Sequence, residues 1–539
     1  MPHNLRNDER RLVSIAHIIT RGAEIHPQRI AIDDLLRQRK FTYAELNHRV
    51  IKLAKTLAQR GIAEGDMVAT MHYNEHGAVE SLMASALIGA IAVPINVRLL
   101  PAETAEYCNF HDCKAVVCAA EFTDKFAAAN ATLRITNLSA DQPIDDQRQW
   151  LDYETLLEEV TDTSPLPVVT RWEDPFRMIQ TGGTTGASKG VVHTHAGTYF
   201  TVLAVVAELG LQRNWQSLMV APTYHGAGID WCLLPVLWRG GTVIFPADTA
   251  FNPNAVLQLI REREIELMLF VPAMIVALAQ VWDGEPVTCV RSGITASAPT
   301  PPALREKLAQ IFPTADIRAG AGISESLNMA IQSPGEFLEH PLSIGEPCID
   351  TRMVVVDENG RRVPAGTPGE ICLRGFNTGL GYDRQPELTS QTWRLLTDDP
   401  EGLEWTFTGD IGVMDDTGKV AIIDRSKDVI ISGGETIPSV EIESVYMAHP
   451  NIVECAAVGL ADERWGEAIH LVAVLTGDAV DTQETARELY RWGREKLAGY
   501  KVPKAIVFMD ALPRSHFGKV LKRDLRAASY PDALREVDV

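Results

Sequence analysis

No uncharged apolar stretch of about 18 residues occurs in the chain, so nothing in it reads as a membrane-spanning helix. The best candidate, residues 81–97, is interrupted at Gly89 and Pro94 and reads as a buried helix feeding a buried strand. The N-terminus, Met1-Pro2-His3-Asn4-Leu5-Arg6, lacks the apolar core of a signal peptide. Cysteine is scarce, with eight scattered thiols in 539 residues. Only Cys108, Cys113 and Cys118 are evenly spaced, and their strand-like surroundings give metal binding little support. Reduced thiols in a cytoplasmic protein are the expectation. Positive charge is also short. Fifty Lys and Arg against 71 Asp and Glu leave a formal charge of −21, which argues against nucleic-acid and anionic-membrane surfaces. It leaves room for a local basic pocket. The sequence therefore implies neither a nucleic-acid partner nor integral membrane contact, and it is compatible with a homodimer. At 46% hydrophobic and 22% charged residues, disorder is not expected either.

A chain this long exceeds one hydrophobic core, so several domains are expected. Residues 41–120 alternate strands and helices in the manner of parallel α/β sheet. Thr42 and Glu45 carry capping-box spacing. A strand at 66–71, a helix at 78–87, a strand at 91–95 and a helix at 101–110 follow. Residues 131–175, rich in Asp, Thr, Pro and Gln, read as an irregular link. A second α/β region has strands at 217–220, 242–245, 267–270 and 288–290, with helices at 254–262 and 302–311. After about residue 340 the texture turns to short β pieces with an Asn359-Gly360 turn signal, which suggests a β-barrel-like subdomain. The last stretch mixes helices and strands as a small α+β domain. The fold class is thus α/β: a large N-terminal domain of two parallel α/β sheets plus the β-barrel-like subdomain, then a small α+β C-terminal domain.

One loop stands out. Thr181-Gly182-Gly183-Thr184-Thr185-Gly186-Ala187-Ser188-Lys189-Gly190 follows the strand-like Phe176-Arg177-Met178-Ile179. Glycines admit a ligand close to the backbone, and hydroxyls, N–H groups and one ammonium can surround phosphate oxygens. Ala187 and Ser188 separate Gly186 from Lys189, which departs from the nucleoside-triphosphatase loop pattern. A flexible Gly/Thr surface loop is the plain alternative.

Further ordered motifs give the loop a context. Ala321-Gly322-Ile323-Ser324-Glu325, Trp405-Thr406-Phe407-Thr408-Gly409-Asp410, Asp424-Arg425-Ser426-Lys427-Asp428, Ser432-Gly433-Gly434-Glu435 and Pro513-Arg514-Ser515-His516-Phe517-Gly518-Lys519 follow in turn. In kind and order the set resembles the adenylate-forming superfamily, in its acyl-CoA synthetase and acid–CoA ligase branch. The match spans roughly residues 25–530. The resemblance implies an N-terminal ATP- and acyl-binding domain at 1–426 and a mobile C-terminal lid at 427–539, turning about Lys427. It implies ATP, Mg²⁺ and CoA as cofactor and co-substrates, and a small-molecule carboxylic acid as the third partner.

The resemblance also implies roles. Lys519 would bridge the carboxylate and the α-phosphate as charge builds. Glu325 would hold Mg²⁺. Thr181, Gly182, Gly183, Thr184, Thr185 and Lys189 would hold the β- and γ-phosphates. Gly293, Ala321, Gly322 and Ser324 would border the nucleotide, Asp410 would take the ribose hydroxyls, and Arg425 would contact ribose or phosphate. Tyr224, His225, Asp230, Trp231, Gly320 and Ile323 would line the acyl pocket, with His225 near the reacting carboxylate. Gly433, Gly434 and Glu435 would line the CoA channel. Ala321 stands where the family usually stacks an aromatic ring on adenine, Ser324 replaces the commoner threonine, and Thr436-Ile437-Pro438 departs from the usual run after Glu435. The function expected is an ATP-dependent acid–CoA ligase on a medium-chain, branched or aromatic carboxylate. A stand-alone adenylation enzyme loading a carrier protein is the alternative; no carrier domain follows Val539, so it would act in trans. A non-catalytic nucleotide-binding protein is the alternative of a different class.

Overall fold

Thr42 and Glu45 cap a helix as their spacing predicts. Thr42 Oγ1 accepts from Glu45 N at 3.2 Å and Glu45 Oε2 accepts from Thr42 N at 2.8 Å, starting the helix Tyr43–Gln59. The computed structural model describes residues 12–138, 150–181, 189–425, 427–433, 435–462, 464–477, 483–514, 520–531 and 533–535. Among them no helix is long and apolar enough to cross a membrane. The segment 81–97 is a helix, His76–Leu87, leading into the strand Ile91–Pro94, and both are buried.

Two large sheets carry the N-terminal region. The first runs in the order Gly381–Tyr382, Lys189–Thr194, Pro175–Thr181, Ile91–Pro94, Met67–Met71, Cys113–Cys118, Leu133–Thr136, Leu151–Asp152. The second centres on the parallel strands Thr242–Phe245, Gln216–Leu218, Leu267–Phe270, Ser292–Thr295 and Asp316–Ile323. Neither sheet is wholly parallel. Pro175–Thr181 pairs antiparallel with Lys189–Thr194, and Asp316–Ile323 pairs antiparallel with Ser326–Ile331. The connections explain it: a parallel return needs roughly a dozen residues, and these strands are joined by far fewer.

Two further expectations, of local structure, fail. The supposed link at 131–175 continues the first sheet through Leu133–Thr136 and Leu151–Asp152, then forms the helix Tyr153–Glu159. Asp152 caps that helix by accepting from Thr155 N at 2.8 Å, and Leu156 and Leu157 bury its inner face. Residues 288–290 are not a strand. Val287 and Val290 enter the core from irregular chain, and the strand forms just after them, at Ser292–Thr295.

The β-barrel-like subdomain is an antiparallel sheet of Thr351–Val356, Gly369–Gly375, Glu404–Met414, Trp393–Leu395 and Val420–Arg425. Among the described strands its ladder stays open. Asn359-Gly360 does turn the chain, with Gly360 at φ +72° and Gly360 N donating to Asp357 O at 3.0 Å. A six-stranded mixed sheet with the helices Ser439–Met447 and Gln483–Lys496 forms the C-terminal region. We propose the domain boundary at 426/427, between the last strand of one sheet and Ile430, which begins the next.

Candidate active site

Cross-strand pairing sets the ends of the glycine-rich loop side by side: Thr181 lies opposite Lys189 and Gln180 opposite Gly190. Gly190 is glycine because a Cβ there would strike the Met178 side chain. Gly182, Gly183, Thr184 and Thr185 lie outside the described residues.

Two contacts link Lys189 to Glu325 through Tyr382. The Lys189 ammonium sits 5.3 Å from the Tyr382 ring centroid. The Tyr382 hydroxyl donates to Glu325 Oε1 at 2.5 Å. Burial and then the negative Glu325 push the Tyr382 hydroxyl pKa up, so it stays a donor. Lys427 is exposed, yet its amine is held below the ordinary range, by partial desolvation first, with Arg425, Arg526 and Lys189 adding repulsion against the pull of Asp428. Arg425 Nε in turn meets Asp410 Oδ1 at 2.6 Å. Asp410 and Arg425 are direct partners in the Glu404–Met414/Val420–Arg425 ladder, which brings two motifs fifteen positions apart face to face. In a chain with 21 excess negative charges, Lys189, Arg425, Lys427 and Arg526 form a local gathering of positive charge, with Arg425 paired to Asp410 and Arg526 to Asp428.

The hairpin Asp316–Ile323/Ser326–Ile331 carries the Glu325 motif. Gly322 is exposed and cannot bear a side chain, because a Cβ would stand 2.2 Å from Leu327 O; the Trp231 ring lies just beyond. Ala321 and Ile323 lean on the small core of Met329, Met353, Ile371 and Leu373, and the Ser324 carbonyl bonds to His193 Nε2 at 2.7 Å. Gly293 and Gly320 are buried strand residues whose missing Cβ atoms make room for Phe270 and Ile294.

Tyr224 and His225 lead into a π-helical turn, Ala227–Leu233, a rare geometry that gathers at functional sites. His225 is half-exposed, and its Nδ1 accepts from Ala227 N at 3.3 Å. Burial raises the Tyr224 pKa. Trp231 is buried, with Nε1 donating to Asn328 Oδ1 at 2.7 Å. Asp230 is also buried, and both its oxygens accept from Arg177 Nη2 at 2.6 Å. A Cβ at Gly226 would make ordinary contacts with the Asp230 carboxylate, Ile179 and Leu327, the nearest at 3.4 Å.

Gly433, at φ +62°, opens the tight hairpin Ile430–Ser432/Glu435–Ile437, and its N donates to Trp465 O at 2.7 Å. Glu435 is exposed. Gly434 and Lys519 lie outside the described residues. Asp424 accepts from Ser439 N and Oγ, at 2.5 and 2.6 Å, which ties the first helix of the C-terminal region back to the strand before Lys427.

Three participants were missed in the sequence. Arg177 had a signal, a charge inside an apolar strand. Tyr382 had a fainter one, an aromatic after Gly379-Leu380-Gly381 and before a proline-led helix. Asn328, which anchors Trp231, had none, because only the fold brings it within reach.

A family model described as AMP-binding enzyme matches residues 19–383, and one described as AMP-binding enzyme C-terminal domain matches residues 441–519. The chain is 32% identical over 495 residues to a feruloyl-CoA synthase of Amycolatopsis sp, covering 90% of this chain and 93% of the relative. It is 29% identical over 518 residues to the fatty acid–[acyl-carrier-protein] ligase ScoC of Streptomyces coeruleorubidus, covering 94% of each. Its fold is similar to that of ATP-bound MatB from Rhodopseudomonas palustris, with a TM-score of 0.84, 26% identity, and coverage of 96% of this chain and 99% of that one.

Proposed function

The chain belongs to the AMP-binding enzyme family, and from that premise we propose an ATP-dependent acid–CoA ligase acting on a medium-chain, branched or aromatic carboxylate. The observation that carries this reading is the presence of two contact groups, Lys189–Tyr382–Glu325 and Arg425–Asp410, with Lys427 within electrostatic reach of both Lys189 and Arg425. They come from five segments of the chain, and the charged ones have places around a nucleoside triphosphate. Lys189 and Arg425 supply cations for the phosphates, and Asp410 supplies carboxylate oxygens for ribose hydroxyls. The half-exposed Glu325 carboxylate suits Mg²⁺, a hard cation that takes oxygen ligands and shares them with phosphate. Bound there, Mg²⁺ would neutralise triphosphate charge and favour pyrophosphate departure.

The chemistry runs in two steps. A substrate carboxylate oxygen attacks the α-phosphorus, the bond to the β-phosphate oxygen breaks, and pyrophosphate leaves with the electron pair. Lys519, brought in by the lid, stabilises the charge that builds on the α-phosphate and the incoming carboxylate. The CoA thiolate then attacks the acyl carbonyl, the carbon–oxygen bond to AMP breaks, and AMP leaves. The lid turns about Lys427 between the steps, and Gly433, Gly434 and Glu435 then line the thiol's path. His225 flanks the carboxylate, with Gly226 and Trp231 shaping the pocket beyond.

Similarity to the feruloyl-CoA synthase supports an aromatic acid, and similarity to the carrier-protein ligase keeps carrier loading as the second reading. A panel of acids assayed for ATP-dependent AMP release, with CoA and with a phosphopantetheinylated carrier protein in parallel arms, separates the two. The ligase reading expects thioester with CoA on at least one medium-chain, branched or aromatic acid. Thioester on the carrier alone would favour the second reading.

A further inference from the structure

Tyr382 is placed by contacts that do not involve its hydroxyl. Gly381 and Tyr382 pair with Val192 and Val191 of the strand that leaves the phosphate loop. Tyr382 N donates to Thr389 Oγ1 at 2.9 Å, and its ring meets Trp393 edge-on at 5.3 Å. Gly381, at φ +136°, lets the chain close over Thr389, where a Cβ would not fit. The neighbouring Gly379 N donates to the Glu325 carbonyl at 2.9 Å, so the segment 379–382 also holds the Glu325 backbone. Against this fixed frame, the hydroxyl reaches one oxygen of Glu325, with the Thr392 side chain also hydrogen-bonded to it. The other oxygen, Oε2, meets no donor among the described residues.

We propose that Tyr382 is a positioning residue for cation binding: its hydroxyl pins Oε1 of Glu325 and leaves Oε2 for the metal that accompanies the nucleotide. This rests on the ligase reading for the identity of the nucleotide. Mg²⁺ tolerates little departure from octahedral geometry, so a carboxylate already held in one rotamer binds it better than a free one. Outer partners of metal ligands are worth about 10–100-fold in metal affinity. Lys189, seated on the same ring, places a phosphate-binding ammonium beside the carboxylate without pairing with it; among the described residues no carboxylate pairs with Lys189.

The test is Tyr382→Phe, which removes the hydroxyl and keeps the ring. Mn²⁺ is titrated by electron paramagnetic resonance into the full-length protein with a non-hydrolysable ATP analogue. Binding is expected to weaken by about ten-fold or more. The Mg²⁺ concentration that half-saturates pyrophosphate exchange should rise by the same factor, while the melting temperature and thioester formation from supplied acyl-adenylate and CoA stay at wild-type values. In the Glu325→Gln background, Tyr382→Phe should cost nothing more. Unchanged Mn²⁺ affinity, or additive losses in the double variant, overturns the inference. So does a fall in both half-reactions together with the melting temperature, which would make the hydroxyl a structural strut. If the wild type supports no acid-dependent exchange, the ligase reading falls, and the Mn²⁺ titration still decides the role of Tyr382.

Discussion

Lys519→Ala is expected to lower pyrophosphate exchange by about 10²–10³-fold, the range seen when one preorganised group is withdrawn from a developing charge. Thioester formation from supplied acyl-adenylate and CoA should stay near the wild-type rate. The asymmetry follows from where charge develops. In the first step, two anions approach and negative charge gathers on the α-phosphate, so a fixed ammonium acts in the transition state more than in the ground state. In the second step the phosphate is already esterified and departs as AMP, and the lid has turned. Stopped-flow or quench measurements of the two half-reactions, run separately, check this. Equal losses in both would remove Lys519 from its assigned role.

Asp230→Ala is expected to destabilise the fold by about 3–5 kcal/mol, because it strands a buried guanidinium. Arg177 lies in the strand Pro175–Thr181 with 0% exposure, and Asp230 on the π-helical turn is 1% exposed. Arg177 Nη2 bonds to both Asp230 oxygens, while Nε and Nη1 find no partner among the described residues. Desolvation pushes the Asp230 carboxyl above its ordinary range, and the Arg177 charge and hydrogen bonds pull the other way. The nearby His193 imidazole is held down at about 3, by burial first and then by Arg177. Among the described residues no other carboxylate pairs with Arg177. The double substitution Arg177→Met with Asp230→Leu should regain most of the loss, since apolar pairs of similar volume often replace buried ion pairs at little cost. Denaturant titration of the three variants checks this. A loss below about 1 kcal/mol for Asp230→Ala would mean that water reaches the guanidinium.

The pair also marks how far the sequence could be read. Helix starts with polar caps were legible, because Thr42 and Glu45 satisfy the first turn through contacts three residues apart. The helix Pro101–Phe110 and the strands Thr242–Phe245 and Leu267–Phe270 were legible through apolar periodicity and proline placement. The link at 131–175 was misread because its polar composition hid Leu133, Ile135, Leu156 and Leu157, which are few but buried. Strand direction was misread where alternation of elements was weighed above connection length. At the site, motif residues were legible one by one. Their mutual contacts were not, since Tyr382 and Glu325 are 57 positions apart and Arg177 and Asp230 are 53 apart. Such pairs exist only once the sheets have set the register.

The groups around Glu325 and Asp410 stand for one chemical claim, that a carboxylic acid and ATP react here before any thiol is present. Exchange of labelled pyrophosphate into ATP, with Mg²⁺ and a broad set of medium-chain, branched and aromatic acids but no CoA, tests it directly. Acid-dependent exchange with at least one of them is the predicted result. No exchange above the acid-free background with any of them would contradict it.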